Sequence, residues 1–86
     1  GTTVAQKLAD AHVHAVIGHL NSGTTIPASR IYHDAGIVQV SPSATNPTYT
    51  RQGYKTAFRV FADDVQQGSV LGGFATGKLG AKKIAI

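Results

Sequence analysis

Val16-Ile17-Gly18-His19-Leu20-Asn21-Ser22-Gly23-Thr24-Thr25-Ile26-Pro27-Ala28 is the stretch on which the fold turns. An apolar run ends at Gly18, a short polar loop follows, and a helical pattern opens near Thr24. This is a strand that passes through a loop into a helix. In open α/β sheets, ligands sit over such loops, beyond the carboxyl ends of the strands. A helix N-terminus adds unpaired N–H groups and the positive end of the macrodipole. Ser22, Gly23, Thr24 and Thr25 occupy that place. A second polar loop, Ser41-Pro42-Ser43-Ala44-Thr45-Asn46-Pro47, follows the next apolar run. Two adjacent parallel strands would hold the loops side by side, with a pocket expected between them.

Working outward, Val4, Leu8 and Ala11 recur at helical spacing, which predicts a helix over 2–12. Residues 13–18 read as a short strand. Ala28, Ile31, Tyr32 and Ala35 follow the i, i+3, i+4, i+7 template and predict a helix over 24–35, with Pro27 in its first turn and Gly36 as its stop. Residues 37–41 form the next strand, expected to pair in parallel with 13–18. Residues 41–54, with two prolines and several hydroxyls, read as a long loop. Ala57-Phe58-Arg59-Val60-Phe61 is a further strand. Asp63 or Asp64 caps a helix that runs to about Leu79 and buries Leu71, Phe74, Ala75 and Leu79. Gly80 ends it, and Ile84-Ala85-Ile86 begins another strand. Strands alternating with helices imply an α/β protein with a parallel sheet. Both ends read as truncated, because a domain boundary seldom falls inside an element.

Eighty-six residues suffice for one small domain. The chain is 42% apolar and 14% charged, a globular composition. No signal-peptide pattern stands at the N-terminus, and no apolar run approaches the ~20 residues of a membrane helix. The absence of cysteine removes thiol catalysis and Cys-ligated zinc. The net charge of +4 is spread along the chain rather than clustered with stacking aromatics, so no nucleic-acid partner is expected.

Each motif has a plainer alternative. Gly18-x4-Gly23-Thr24-Thr25 imitates a phosphate loop, but threonine stands where the lysine must reach the terminal phosphates, which argues against nucleotide hydrolysis. Ser22, His19 and Asp34 do not make a triad: no G-x-S-x-G elbow surrounds Ser22, and Asp34 lies at the far end of the helix. An enzyme is therefore not expected. His12, His14, His19 and His33 lack companion ligands and read as surface or hydrogen-bonded histidines; neither a metal nor a cofactor is implied. Ser22 itself is compatible with ligand contact and with ordinary helix capping, since both use the same orphan N–H groups.

Gly18-His19-Leu20-x-Ser22, Pro27-Ala28-Ser29, Gly36-Ile37 and Ser41-Pro42-x-Ala44-Thr45-Asn46-Pro47, followed by Gln67-Gly68 and Ile84-Ala85-Ile86, closely resemble the periplasmic branched-chain amino-acid binding proteins. These are type I periplasmic binding proteins that deliver leucine, isoleucine or valine to an ABC importer. The resemblance covers nearly the whole chain and about a quarter of such a protein. It implies a flavodoxin-like half-lobe and a periplasmic location, with a signal peptide in the parent protein and an ABC transporter permease as its partner. Ser22 matches the serine whose hydroxyl and backbone N–H hold the ligand α-carboxylate. Thr45 matches the threonine that binds the carboxylate and ammonium ends. Ser43 stands where a backbone carbonyl accepts from the ammonium, and Leu20 and Asn21 flank the site. Some relatives carry a cysteine at the Asn21 position, and no disulfide is possible here. The acidic and aromatic residues of the opposite lobe lie outside the chain.

The resemblance also implies a division: 1–60 as part of the N-terminal lobe, 61–63 as the crossover, and 64–86 as the first helix and strand of the C-terminal lobe. The same fold serves as the ligand-sensing domain of receptors and regulators, which is the alternative function. A quarter of a two-lobed protein leaves sheet edges open, so self-association of the isolated chain is expected.

Overall fold

The computed structural model describes residues 1–85. Its elements are α1 (Thr2–Asp10), β1 (Ala15–Ile17), α2 (Ser22–Asp34), β2 (Val38–Ser41), α3 (Thr48–Arg51), β3 (Ala57–Arg59) and α4 (Asp64–Gly73). A π-helical turn, Phe74–Lys78, continues α4. The three strands form one parallel sheet in the order β1-β2-β3. Val16 lies opposite Gln39 and Ile17 opposite Val40, while Gln39 lies opposite Ala57 and Val40 opposite Phe58. The parallel pairing of the first two strands is as the alternating pattern predicts.

α1 and α2 pack together, and α2 packs on β2. Ala5, Ala28, Tyr32 and Ile37 form the buried core, with Leu8, Val13, Val16 and Ile31 against it. The stop of α2 follows the expected chemistry. Gly36 takes φ +69° and donates to the His33 carbonyl, and Ile37 N–H reaches the Tyr32 carbonyl at 2.8 Å. These two bonds make a Schellman cap, whose glycine position tolerates left-handed backbone. The cap drops Ile37 into the core beside Tyr32 and launches β2.

Five details depart from the sequence reading. α2 begins two residues early, at Ser22, so Pro27 stands in its second turn rather than its first. The long loop contains a helical turn, α3, started where Asn46 Oδ1 accepts from Thr48 N–H and anchored by the buried Tyr49. The helix from Asp64 is capped by Asp63, as one of the two expected aspartates, but its last five residues widen into the π-turn. The predicted burial of Leu71, Phe74 and Leu79 is not observed: Leu71 is 65% exposed and Leu79 67%. The physical reason is that α4 makes no substantial contact with the sheet or with α1–α3. The molecule is accordingly long, 53 × 21 × 17 Å. Ile84 and Ala85 carry no strand, and Ile86, the end of that expected strand, lies outside the described residues.

The sheet is covered on one face. Val16, Gln39 and Ser41 point toward the helices, while Ile17, Val38 and Phe58 alternate outward, Ile17 with 84% exposure. Parallel sheets are ordinarily buried on both faces.

Tyr49 is fully buried and its hydroxyl donates to the Gln39 carbonyl at 3.2 Å. Burial pushes its phenol up to about 12, against smaller opposing effects of the Phe58 backbone and Arg59. The folded chain then keeps a proton that the unfolded chain releases near pH ~10, so stability is full below that pH and falls as pH rises toward the folded value. Urea midpoints measured across this alkaline range should decline, and Tyr49→Phe should flatten the decline. Gly36→Ala should cost roughly 1–2 kcal/mol by the same unfolding measurement, because a Cβ is strained at left-handed φ.

Candidate functional site

At the carboxyl ends of β1 and β2 the strand ladder gives way to side chains. Gly18 N–H still donates to the Val40 carbonyl at 2.9 Å. Beyond it, Gln39 Nε2 donates to the Gly18 carbonyl at 3.0 Å and Ser41 Oγ to the His19 carbonyl at 3.1 Å. Ser43 Oγ donates to the Leu20 carbonyl at 2.7 Å, and Ser22 Oγ accepts from Asn46 N–H at 3.0 Å. Residues 18–22 and 39–46 are thus bridged step by step, and the two polar loops do lie side by side.

Each residue singled out in the sequence can now be placed. Asn21, not Ser22, is the N-cap of α2; its backbone is extended and its side chain makes no capping bond. Its carbonyl accepts from the N–H and hydroxyl groups of both Thr24 and Thr25. Ser22 is the first helical residue, and its oxygen reaches across to the second loop rather than folding back on its own helix. With a lone pair occupied by the Asn46 N–H, its O–H proton remains free to donate. Ser22 and Gly23 N–H groups have no acceptor among the described residues. Ser43 is half-buried; its hydroxyl is committed to Leu20, and among the described residues no donor reaches its carbonyl. The Thr45 carbonyl accepts from Asp64 N–H at 2.8 Å, while its hydroxyl has no partner among the described residues. Leu20 is 70% exposed beside these groups.

The geometry therefore gathers two hydroxyls and two helix N-terminal amides for an anion, a carbonyl acceptor for a cation, and one apolar side chain. That donor and acceptor set suits a zwitterion. The pocket expected between the loops is not enclosed. Concavities of about 580, 260 and 240 Å³ among the described residues lie elsewhere, the largest at the amino ends of the strands beside His12, Val13 and Gly36. The loops instead form an open shelf.

Sequence reasoning missed the groups that hold the shelf. Ser41 is fully buried and its Oγ also accepts from Ala44 N–H at 2.9 Å. Gln39 is buried as well. The available signal was polar residues alternating with apolar ones along β2, at positions that face inward. His19, read as a histidine without ligand partners, has Nε2 2.8 Å from the Tyr32 hydroxyl. Burial holds His19 below the ordinary histidine range and Tyr32 above the ordinary phenol range, so both are neutral at pH 7.

The profile of the periplasmic binding protein family matches residues 1–86, the whole chain. The chain belongs to the periplasmic binding protein family. Among its relatives, Leu/Ile/Val-binding protein homolog 1 of Brucella abortus is 49% identical over 86 residues, covering all of this chain and 23% of that protein. The leucine-, isoleucine-, valine-, threonine- and alanine-binding protein of Pseudomonas aeruginosa is 42% identical over 83 residues, 96% of this chain and 22% of that protein. An ABC transporter substrate-binding protein from Desulfitobacterium hafniense, solved in complex with Leu, superposes with a TM-score of 0.82 at 40% identity, over 90% of this chain and 23% of that one. The chain thus spans about a quarter of the length of the relatives it matches. The three-stranded parallel sheet with its helices is part of the type I periplasmic binding protein fold.

Ser41→Ala removes the hydroxyl that serves the His19 carbonyl and the Ala44 N–H together. Leaving buried groups unpaired costs ~1–3 kcal/mol. Denaturant unfolding should show a loss in that range, and an unchanged midpoint would show that the two loops hold without it.

Proposed function

We propose that the full-length protein carrying this chain captures a branched-chain amino acid, leucine, isoleucine or valine, in the periplasm and delivers it to an ABC transporter permease. The activity is binding, without catalysis. The observation that carries this reading is the pairing of Ser22 Oγ with Asn46 N–H, which leaves the serine proton and the first amides of α2 free to bind an anion. In this reading Ser22 and Thr45 hold the α-carboxylate, the Ser43 carbonyl takes the ammonium, and Leu20 and Asn21 flank the ligand. The names of the Brucella and Pseudomonas relatives and the leucine complex of the Desulfitobacterium protein support it.

Residues 1–60 then belong to the N-terminal lobe, 61–63 to the crossover, and 64–86 to the opening of the C-terminal lobe. The standing-off of α4 from the sheet and its bare apolar side chains support that division. Closure of the lobes would bury the ligand and exclude water from the shelf. The isolated 86-residue chain, with its outer sheet face uncovered, would associate with itself.

Calorimetry with leucine on the full-length protein tests the assignment. A hydrogen bond to a charged group contributes ~1.5–3 kcal/mol, so Ser22→Ala and Thr45→Ala should each weaken binding roughly 10- to 100-fold without unfolding the protein. The 86-residue chain alone should show no leucine binding at micromolar concentration, because its hydrogen bonds remain in competition with water. An unchanged dissociation constant in Ser22→Ala, or tight binding by the short chain, would overturn the proposal.

A further inference from the structure

We propose that Arg59 is a positioning residue for ligand binding, holding the 45–46 segment against the start of α4. The proposal rests on the roles given above to Ser22 and Thr45. Arg59 ends β3, and its side chain is only 9% exposed. Its Nη1 donates to the Asn46 carbonyl at 3.0 Å, and its Nη2 donates to Thr50 Oγ1 at 3.3 Å. The same Nη2 lies 3.6 Å from Asp63 Oδ2. One planar guanidinium therefore holds the second polar loop, α3 and the residue before α4.

Both ends of that grip lead to the shelf. Asn46, held at its carbonyl by Arg59, gives its N–H to Ser22 Oγ at 3.0 Å. A shift of Asn46 would release the serine oxygen and let its proton turn away from the ligand. Asp63, held at Oδ2, uses Oδ1 to accept from Gln66 N–H at 2.9 Å and so fixes the first turn of α4. The next residue, Asp64, gives its N–H to the Thr45 carbonyl at 2.8 Å. Arg59 thus acts on Ser22 through Asn46 and on Thr45 through Asp63 and Asp64. Arg51 also approaches Asp63, at 3.9 Å, but it is 69% exposed, so it adds little. Lysine cannot substitute for arginine here, because a single ammonium on a flexible stem cannot reproduce a fork directed at three acceptors.

The test compares Arg59→Lys, Asp63→Asn and their combination in the full-length protein, with leucine titrated calorimetrically and folding followed by circular dichroism. Arg59→Lys should raise the leucine dissociation constant about tenfold, the effect of a lost charge-assisted hydrogen bond. Asp63→Asn keeps an oxygen for Gln66 N–H and should raise it less. The double variant should differ little from Arg59→Lys alone, since both changes break one network. A residue that merely supports the fold would lower the melting temperature and the binding-competent fraction, and leave the dissociation constant of that fraction at the wild-type value. That result overturns the proposal. If Arg59→Lys does not fold, Asp63→Asn decides: wild-type affinity there overturns it. A wild-type protein that ignores leucine overturns the underlying functional reading as well. Normal leucine binding that is weakened by Ser22→Ala but unaltered in both network variants overturns this proposal alone.

Discussion

Backbone groups at the end of a parallel sheet run out of ladder partners, and the shelf is the solution to that shortage. Past the Gly18–Val40 hydrogen bond, the carbonyls of Gly18, His19 and Leu20 still need donors. Gln39, Ser41 and Ser43 supply them in turn, one from each successive inward or loop position. A buried carbonyl without a donor is costly. Satisfying three in a row from one neighbouring segment fixes two loops relative to each other. The placement of Ser22 and of the Ser43 carbonyl is a consequence of that arrangement.

The same requirement explains the composition of β2. Its inward residues near the shelf are Gln39 and Ser41, while Val38 points to the uncovered face. Apolar burial is given up at this end of the strand in favour of hydrogen bonding, and the core withdraws to Ala28, Tyr32 and Ile37 at the other end. One trace of that compromise remains: Gln39 commits its amide nitrogen to Gly18, and its buried Oε1 has no partner among the described residues. The apolar outer face makes sense only for a sheet with a second layer over it, and the chain covers about a quarter of the relatives' length.

What could be read from the sequence divides along the range of the interactions. Local signals were legible: Gly36 as a left-handed cap, Asp63 as an N-cap, and the strand–loop–helix order that makes β1 and β2 parallel. The start of α2 was placed late because Ser22-Gly23 has the composition of a loop, whereas the extended Asn21 lets the helix begin there. The turn of α3 was hidden between prolines; the buried Tyr49 that anchors it is a tertiary contact. The helical pattern in 64–79 predicts a buried face that the structure leaves exposed, because no other element among the described residues packs on it. The roles proposed for the Ser22 and Thr45 hydroxyls rest on resemblance to a family. Local sequence cannot report that Ser41 serves a carbonyl 22 positions away.

Few links join α4 to the rest of the described residues. α4 stands apart from the sheet, yet its first turn is not independent of the shelf. The Asp64–Thr45 hydrogen bond and the Arg59–Asp63 ion pair both cross from the loop to the helix start. Asp63 itself spends one oxygen on each side of that boundary. A rotation of α4 about 61–63 must therefore either preserve these contacts, and carry Thr45 and Asn46 with it, or break them. Because interfaces of this kind hold discrete arrangements rather than deforming continuously, the orientation of α4 and the placement of Thr45 and Asn46 are set together. The second polar loop and the start of α4 then meet in one hydrogen-bonded junction, located at the end of β3.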